Sequence, residues 1–158
     1  MAPFNRHLTA LYCDDIRQEV GGKFTLVGVY QNVLYVDSFP VSLPKLGVML
    51  KAIAPAENAF RSIGFKAWLG NQLVAEVPLQ PLADAPVEMA EEVREALDPQ
   101  PEALQAGSMM STSAVLMFAP LNVPGPCALR VRAYDEKGHE HAAPALLILQ
   151  AKDRGTRS

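Results

Sequence analysis

The sequence predicts an all-β domain, an antiparallel sandwich of about eight to nine short strands. Three observations carry this. Most apolar residues recur with period two or in short runs, which is strand spacing rather than helix spacing. Thirteen prolines in 158 residues are scattered along the chain and cut it into short elements, which opposes a helical bundle. No β-α-β alternation occurs, which excludes a doubly wound parallel sheet. Hydrophobic residues make up 49% and charged residues 20%, a balance that supplies a core and excludes an intrinsically disordered chain.

The elements follow in order. Leu8–Glu19 and Phe24–Tyr30 flank Gly21-Gly22, a pair that tolerates positive φ and predicts a hairpin. Read as a two-residue loop, it pairs Val20 with Lys23, Ile16 with Val27 and Cys13 with Tyr30. Leu34–Val36 and Leu46–Ile53 are short strands bounded by Pro40, Pro44 and Pro55. Arg61–Leu69 alternates, with Ile63, Phe65, Ala67 and Leu69 inward and Lys66 and Trp68 outward. Gly70-Asn71 turns the chain into Leu73–Val77, with Leu73, Ala75 and Val77 inward.

The period then changes. Asp84–Leu97 holds helix formers, an Asp at its start and an apolar stripe of Met89, Val93 and Leu97. It predicts one short helix near residues 85–97. Strands resume at Ser108–Phe118 and Cys127–Tyr134. Asp135-Glu136-Lys137-Gly138 fits a type I turn closed by glycine, followed by His139–Ala142 and Ala145–Ala151. Residues 1–151 read as one domain and residues 152–158 as a disordered tail.

The stretch Leu11-Tyr12-Cys13-Asp14-Asp15-Ile16-Arg17 followed by Gly22-Lys23-Phe24-Thr25-Leu26-Val27-Gly28-Val29-Tyr30 resembles the opening of an uncharacterised bacterial family of β-sandwich domains. The resemblance covers about the first 50 residues and extends loosely to Phe39-Pro40, Leu43-Pro44-Lys45 and the end of the chain. It implies an immunoglobulin-like sandwich. It implies no activity and carries over no catalytic residue.

Net charge is −3, and the one basic cluster, Lys152, Arg154 and Arg157, sits in the tail. Nucleic-acid binding, which rests on a basic footprint, is not expected. Wholly apolar stretches such as Ala142–Leu149 fall far short of the ~20 residues of a membrane span. No uninterrupted apolar leader follows the N-terminus, so a cytoplasmic location is expected. Cys13 and Cys127 are too few for a disulfide scaffold and read as reduced, slowly reacting thiols.

Four groups of residues are candidate sites. Asp14, Asp15, Arg17 and Glu19 form the densest charge cluster. Paired carboxylates suit Ca²⁺ or Mg²⁺, yet adjacent strand residues point to opposite faces and cannot converge on one ion without a bulge. Their plainer reading is a solvated cross-strand row, with Asp14 bonded to backbone. His139 and His141 share a strand face as a metal half-site, but zinc needs a third ligand, and the expected neighbours Arg132 and Tyr134 offer none. Trp68, with Lys66 beside it, falls on the non-core side of its strand and is a candidate interface anchor. Neither cysteine has a base beside it, and no GxSxG, Walker A, GxGxxG or HExxH motif occurs. No cofactor and no metal are expected. The sequence therefore predicts a non-enzymatic interaction or assembly module whose partner is a protein or a second copy of itself. The alternative is a small metal-dependent hydrolase, or a carbohydrate-binding sandwich, using the His139/His141 face.

Overall fold

The computed structural model describes residues 5–82 and 109–152. The helix expected near residues 85–97 and the tail from residue 153 lie outside the described residues. Among the described residues the chain is all-β, with twelve strands in several largely antiparallel sheets, none of them closed. The first sheet has the order β2-β1-β5-β8, with β1 at His7–Gln18, β2 at Phe24–Val29, β5 at Leu46–Pro55 and β8 at Met109–Phe118. The second has the order β3-β12-β10-β6-β7, with β3 at Val33–Val36, β6 at Ser62–Leu69, β7 at Gln72–Pro81, β10 at Cys127–Asp135 and β12 at Leu146–Gln150. β11, Glu140–Ala142, also pairs with β10. β4, Val41–Leu43, and β9, Leu121–Val123, form a separate two-stranded ribbon. All ladders are antiparallel except that between β3 and β12.

Period two decides which side chains meet. Cross-strand rows Tyr12, Val48, Leu116 and Ala10, Leu50, Ala114 line the inner face of the first sheet. Phe65, Ala67 and Leu69 on β6, with Leu129 and Val131 on β10, line that of the second. These residues belong to one apolar cluster that also takes in Leu146 and Ile148, an arrangement consistent with a β-sandwich. The Tyr12 hydroxyl donates to the Pro144 carbonyl at 2.6 Å, tying β1 to the approach to β12. Burial raises that hydroxyl's pKa to about 12, so it stays a donor.

Two registers differ from the sequence expectation. The β1–β2 hairpin forms around Gly21-Gly22, but Gln18 faces Phe24 and the Glu19 N–H donates to the Lys23 carbonyl at 2.7 Å. The loop is therefore three residues, Val20-Gly21-Gly22, with both glycines at positive φ. Cys13 pairs with Val29 rather than Tyr30, a slip of one residue that exchanges the faces of the whole strand. The β6–β7 hairpin turns at Gly70-Asn71 as expected, with Leu69 facing Gln72. The register then shifts by one residue between Ala67 and Trp68. The two-residue turn itself puts Leu73 opposite Trp68, on the outer face and half-exposed, and the extra residue, Val74, brings Ala75 and Val77 opposite the core residues Ala67 and Phe65.

Candidate functional site

Asp135, at the end of β10 and only 2% exposed, accepts four hydrogen bonds. It opens the turn into β11. Its Oδ1 accepts the backbone N–H groups of Lys137 and His139, both at 2.9 Å, as an Asx-type turn does. Its Oδ2 accepts Arg6 Nη1 at 3.1 Å and His141 Nε2 at 2.9 Å. A carboxylate only accepts, so His141 Nε2 carries the hydrogen.

Arg6 lies just before β1 and is nearly buried. Its other nitrogens donate to the Asn58 and Ala59 carbonyls, at 2.9 and 2.7 Å, and to Glu136 Oε1 at 2.6 Å. Its guanidinium carbon stands 4.8 Å from the Phe60 ring centre. Phe60 in turn meets the His141 ring edge-on at 5.4 Å. Burial works to raise the Asp135 pKa and is outweighed by hydrogen bonds from His141, the His139 and Lys137 backbone and Arg6, so the group lies well below its ordinary value. Glu136 follows the same logic: burial opposes ionisation, Arg6 and backbone donors overcome it, and its pKa falls to about 2.

This corrects the expected setting of the histidines. His141 pairs with Ala133 and reaches Asp135 on the core side, away from Arg132 and Tyr134. His139 is exposed, its Nδ1 3.8 Å from Asp135. The two imidazoles do approach one carboxylate, but Arg6 holds its charge on the oxygen a cation would need. Among the described residues no three His, Cys, Asp or Glu side chains are placed to hold a metal ion. The sequence pattern did not point to Arg6, which is 129 positions from Asp135.

The N-terminal cluster is built differently. Asp14 accepts a short hydrogen bond from the Tyr30 hydroxyl, not from backbone as the sequence suggested. Burial first, then Asp14, pushes the Tyr30 pKa to about 12. Gly28, opposite Asp14 with φ +68°, leaves the space that the Asp14 carboxylate fills. Asp15 turns to Lys45 Nζ at 2.5 Å and Arg17 Nε at 3.4 Å. The Lys45 hydrogen bond is the largest cause of its lowered pKa. The two adjacent carboxylates thus serve different partners, and Glu19 stands apart at the exposed hairpin end. Cys13 and Cys127 are free thiols. Burial raises the pKa of both, and Asp14 and Asp15 raise that of Cys13 further.

Trp68 lies opposite Arg130 on the outer face of the second sheet and is partly covered by its own chain. The Arg132 guanidinium carbon stands 5.7 Å from the indole centre, and Lys66 Nζ stands 5.0 Å from the Tyr134 ring. Glu140 pairs with Arg132, and Glu76 lies 3.8 Å from Lys66. Among the described residues, Arg132 of the neighbouring strand lies over the indole.

The outer face of the first sheet is unlike this. Leu11, Met49 and Val115 form one cross-strand row, and Val29, Cys13, Gly47 and Met117 the next. Neither row contains a charge. Leu11 is 50% exposed and Val29 47%. Ile16 and Met117 close over Gly47, where a Cβ would lie 2.9 Å from the nearest carbon of Ile16. Two open depressions lie elsewhere, one of about 620 Å³ between Asp37 and Lys152 and one of about 490 Å³ between Pro40 and Pro124. Among the described residues no helix is long and apolar enough to cross a membrane. No family model, curated protein or solved structure matches this chain.

Proposed function

We propose that this chain is a non-enzymatic assembly module of the cytoplasm, an immunoglobulin-like β-sandwich whose protein partner is first of all a second copy of itself. The observation that carries this reading is the uncharged double row on the outer face of the first sheet, where Leu11, Val29, Val115 and Met117 are exposed around the buried Cys13 and Met49. Contiguous apolar surface of this kind marks protein interaction sites, and cores of interfaces are depleted in charge. The buried polar cluster supports the same reading from the other side. Asp135 and Arg6 make so many bonds within the chain that few of their polar atoms are left for a substrate.

Sedimentation equilibrium over a wide concentration range tests it. The wild type should exceed the single-chain mass of 17.1 kDa as concentration rises. Leu11→Lys should return it to that mass without lowering its melting temperature. A single-chain mass at every concentration sinks the proposal.

A further inference from the structure

Among the described residues the two larger sheets have five edge strands, β2, β8, β3, β7 and the three-residue β11, and all but β8 carry a feature that hinders pairing with another chain. β2 is six residues long and bent by Gly28 in the left-handed region. β3 has four residues. β7 carries Pro78 and Pro81 and two register irregularities. Short length, proline and bulges are the usual guards of a sheet edge. β8 has none of them. It pairs with β5 over ten residues without a break, from Pro55 facing Met109 to Leu46 facing Phe118. Its sequence, Met-Met-Ser-Thr-Ser-Ala-Val-Leu-Met-Phe, contains no proline, glycine or charge. Among the described residues no strand covers its other side. Among the described residues a regular row of N–H and C=O groups on β8 is therefore left without a strand partner.

We propose that β8 pairs antiparallel with β8 of a second copy, joining the two four-stranded sheets into one of eight strands. This rests on the self-assembly reading above and names its contact. The occupant is argued from symmetry and charge. A strand set antiparallel to its own copy closes a two-fold dimer, and the same edge serves both partners. A strand without charge meets no repulsion from its copy, whereas one bearing lysines or glutamates would. Geometry restricts the register. A two-fold axis perpendicular to the sheet keeps outer faces on one side only when it passes through a residue paired with itself. Centred on Ser113, the pairing sets Met109 opposite Met117 of the second copy and Ser111 opposite Val115 of the second copy. The row that ends in Met117 then continues through Met109 of the second copy, while the row that ends in Val115 meets Ser111.

Adjacent strand residues send their N–H groups to opposite edges. Of Thr112→Pro and Ser113→Pro, one removes a β5 ladder bond and the other blocks only the outward edge. The edge-blocking variant should keep the wild-type melting temperature measured at the lowest concentration, and its dimer should be weakened at least ten-fold in sedimentation. Amide exchange on the wild type supplies the second measurement. Outward-facing amides of β8 should slow as concentration rises, while those bonded to β5 stay unchanged. A dimer that survives in a folded edge-blocked variant, or is abolished only by Leu11→Lys, overturns β8 pairing and leaves self-assembly standing. β8 amides protected equally at every concentration in a single-chain species mean that the same chain covers the edge, which also overturns it. A single-chain species whose β8 amides exchange freely overturns both readings. Should neither proline variant fold, the exchange result decides alone.

Discussion

Two regions of this molecule set carboxylates against cations, and they reach opposite outcomes. Near the exposed end of β1, Asp14 and Asp15 sit side by side with Arg17 and Lys45, and each carboxylate bonds what stands nearest. At the end of β10, Asp135 and Glu136 sit side by side with Arg6 and His141, and there Arg6 bonds both carboxylates within one largely buried network. The first pair lies on a strand, so its side chains diverge. The second lies in a turn whose backbone N–H groups converge on Asp135, and an arginine from the far end of the chain completes it. Density of charge in sequence is therefore a poor guide. Burial and the number of converging donors decide which cluster stabilises the fold.

The largest expected effect follows directly. Asp135→Ala leaves Arg6, His141 and two backbone N–H groups without their acceptor in a nearly buried site. Breaking one partner of such a pair costs about 3–5 kcal/mol. Asp15→Ala, in the open cluster, should leave the unfolding midpoint nearly unchanged. Urea unfolding of both variants checks the contrast. Equal losses would mean that the buried network carries no special weight.

The second test is acid. Asp135 and Glu136 both titrate below their ordinary values of 3.8 and 4.5 when folded. The unfolded chain therefore takes up protons first as pH falls. The stabilisation is complete above about pH 5 and is lost as pH drops through the folded values, which for Glu136 means down to about 2. Unfolding free energy measured from pH 6 to pH 2 should fall steeply, and Glu136→Gln should flatten the lower part of that curve. A wild-type curve that stays level across this range would contradict the network as drawn.

The contrast also explains what could be read from the chain alone. Strands were legible because inward and outward residues alternate, as in Ile63, Phe65, Ala67 and Leu69. The hairpin at Gly21-Gly22 was legible, but its register was not. A Gly-Gly pair serves a two-residue loop and a three-residue one equally, and Val20 joined the loop. Alternation groups Leu73 with Ala75 and Val77, but a bulge at Val74 breaks it, and no residue type announces a bulge. Asp135 was read correctly as the opening of a turn. Its burial was not legible, since that depends on Arg6 crossing from the other end of the chain. The bareness of β8 is plain in its letters, yet it means something only once β8 is known to be an edge.

The smallest expected effect concerns the open cluster and is the sharper for being small. Asp15 holds Lys45 and Arg17, but both cations are well exposed. An exposed pair gains little because water already solvates each charge, and at about 0.1 M salt charges more than about 10 Å apart hardly interact. Asp15→Asn should therefore barely shift the unfolding midpoint in low salt, and the shift should shrink further as salt is added. The same geometry speaks to divalent cations. Asp14 faces Tyr30 and Asp15 faces Lys45, so the two carboxylates cannot close on one ion, and calcium wants six to eight oxygens. An ion that bound the folded chain alone would raise its melting temperature by mass action. Millimolar calcium should leave that temperature unchanged in the wild type and in Asp15→Asn alike. A rise in the wild type that Asp15→Asn abolishes would show that the two carboxylates swing together around an ion, and would erase the difference between the two clusters.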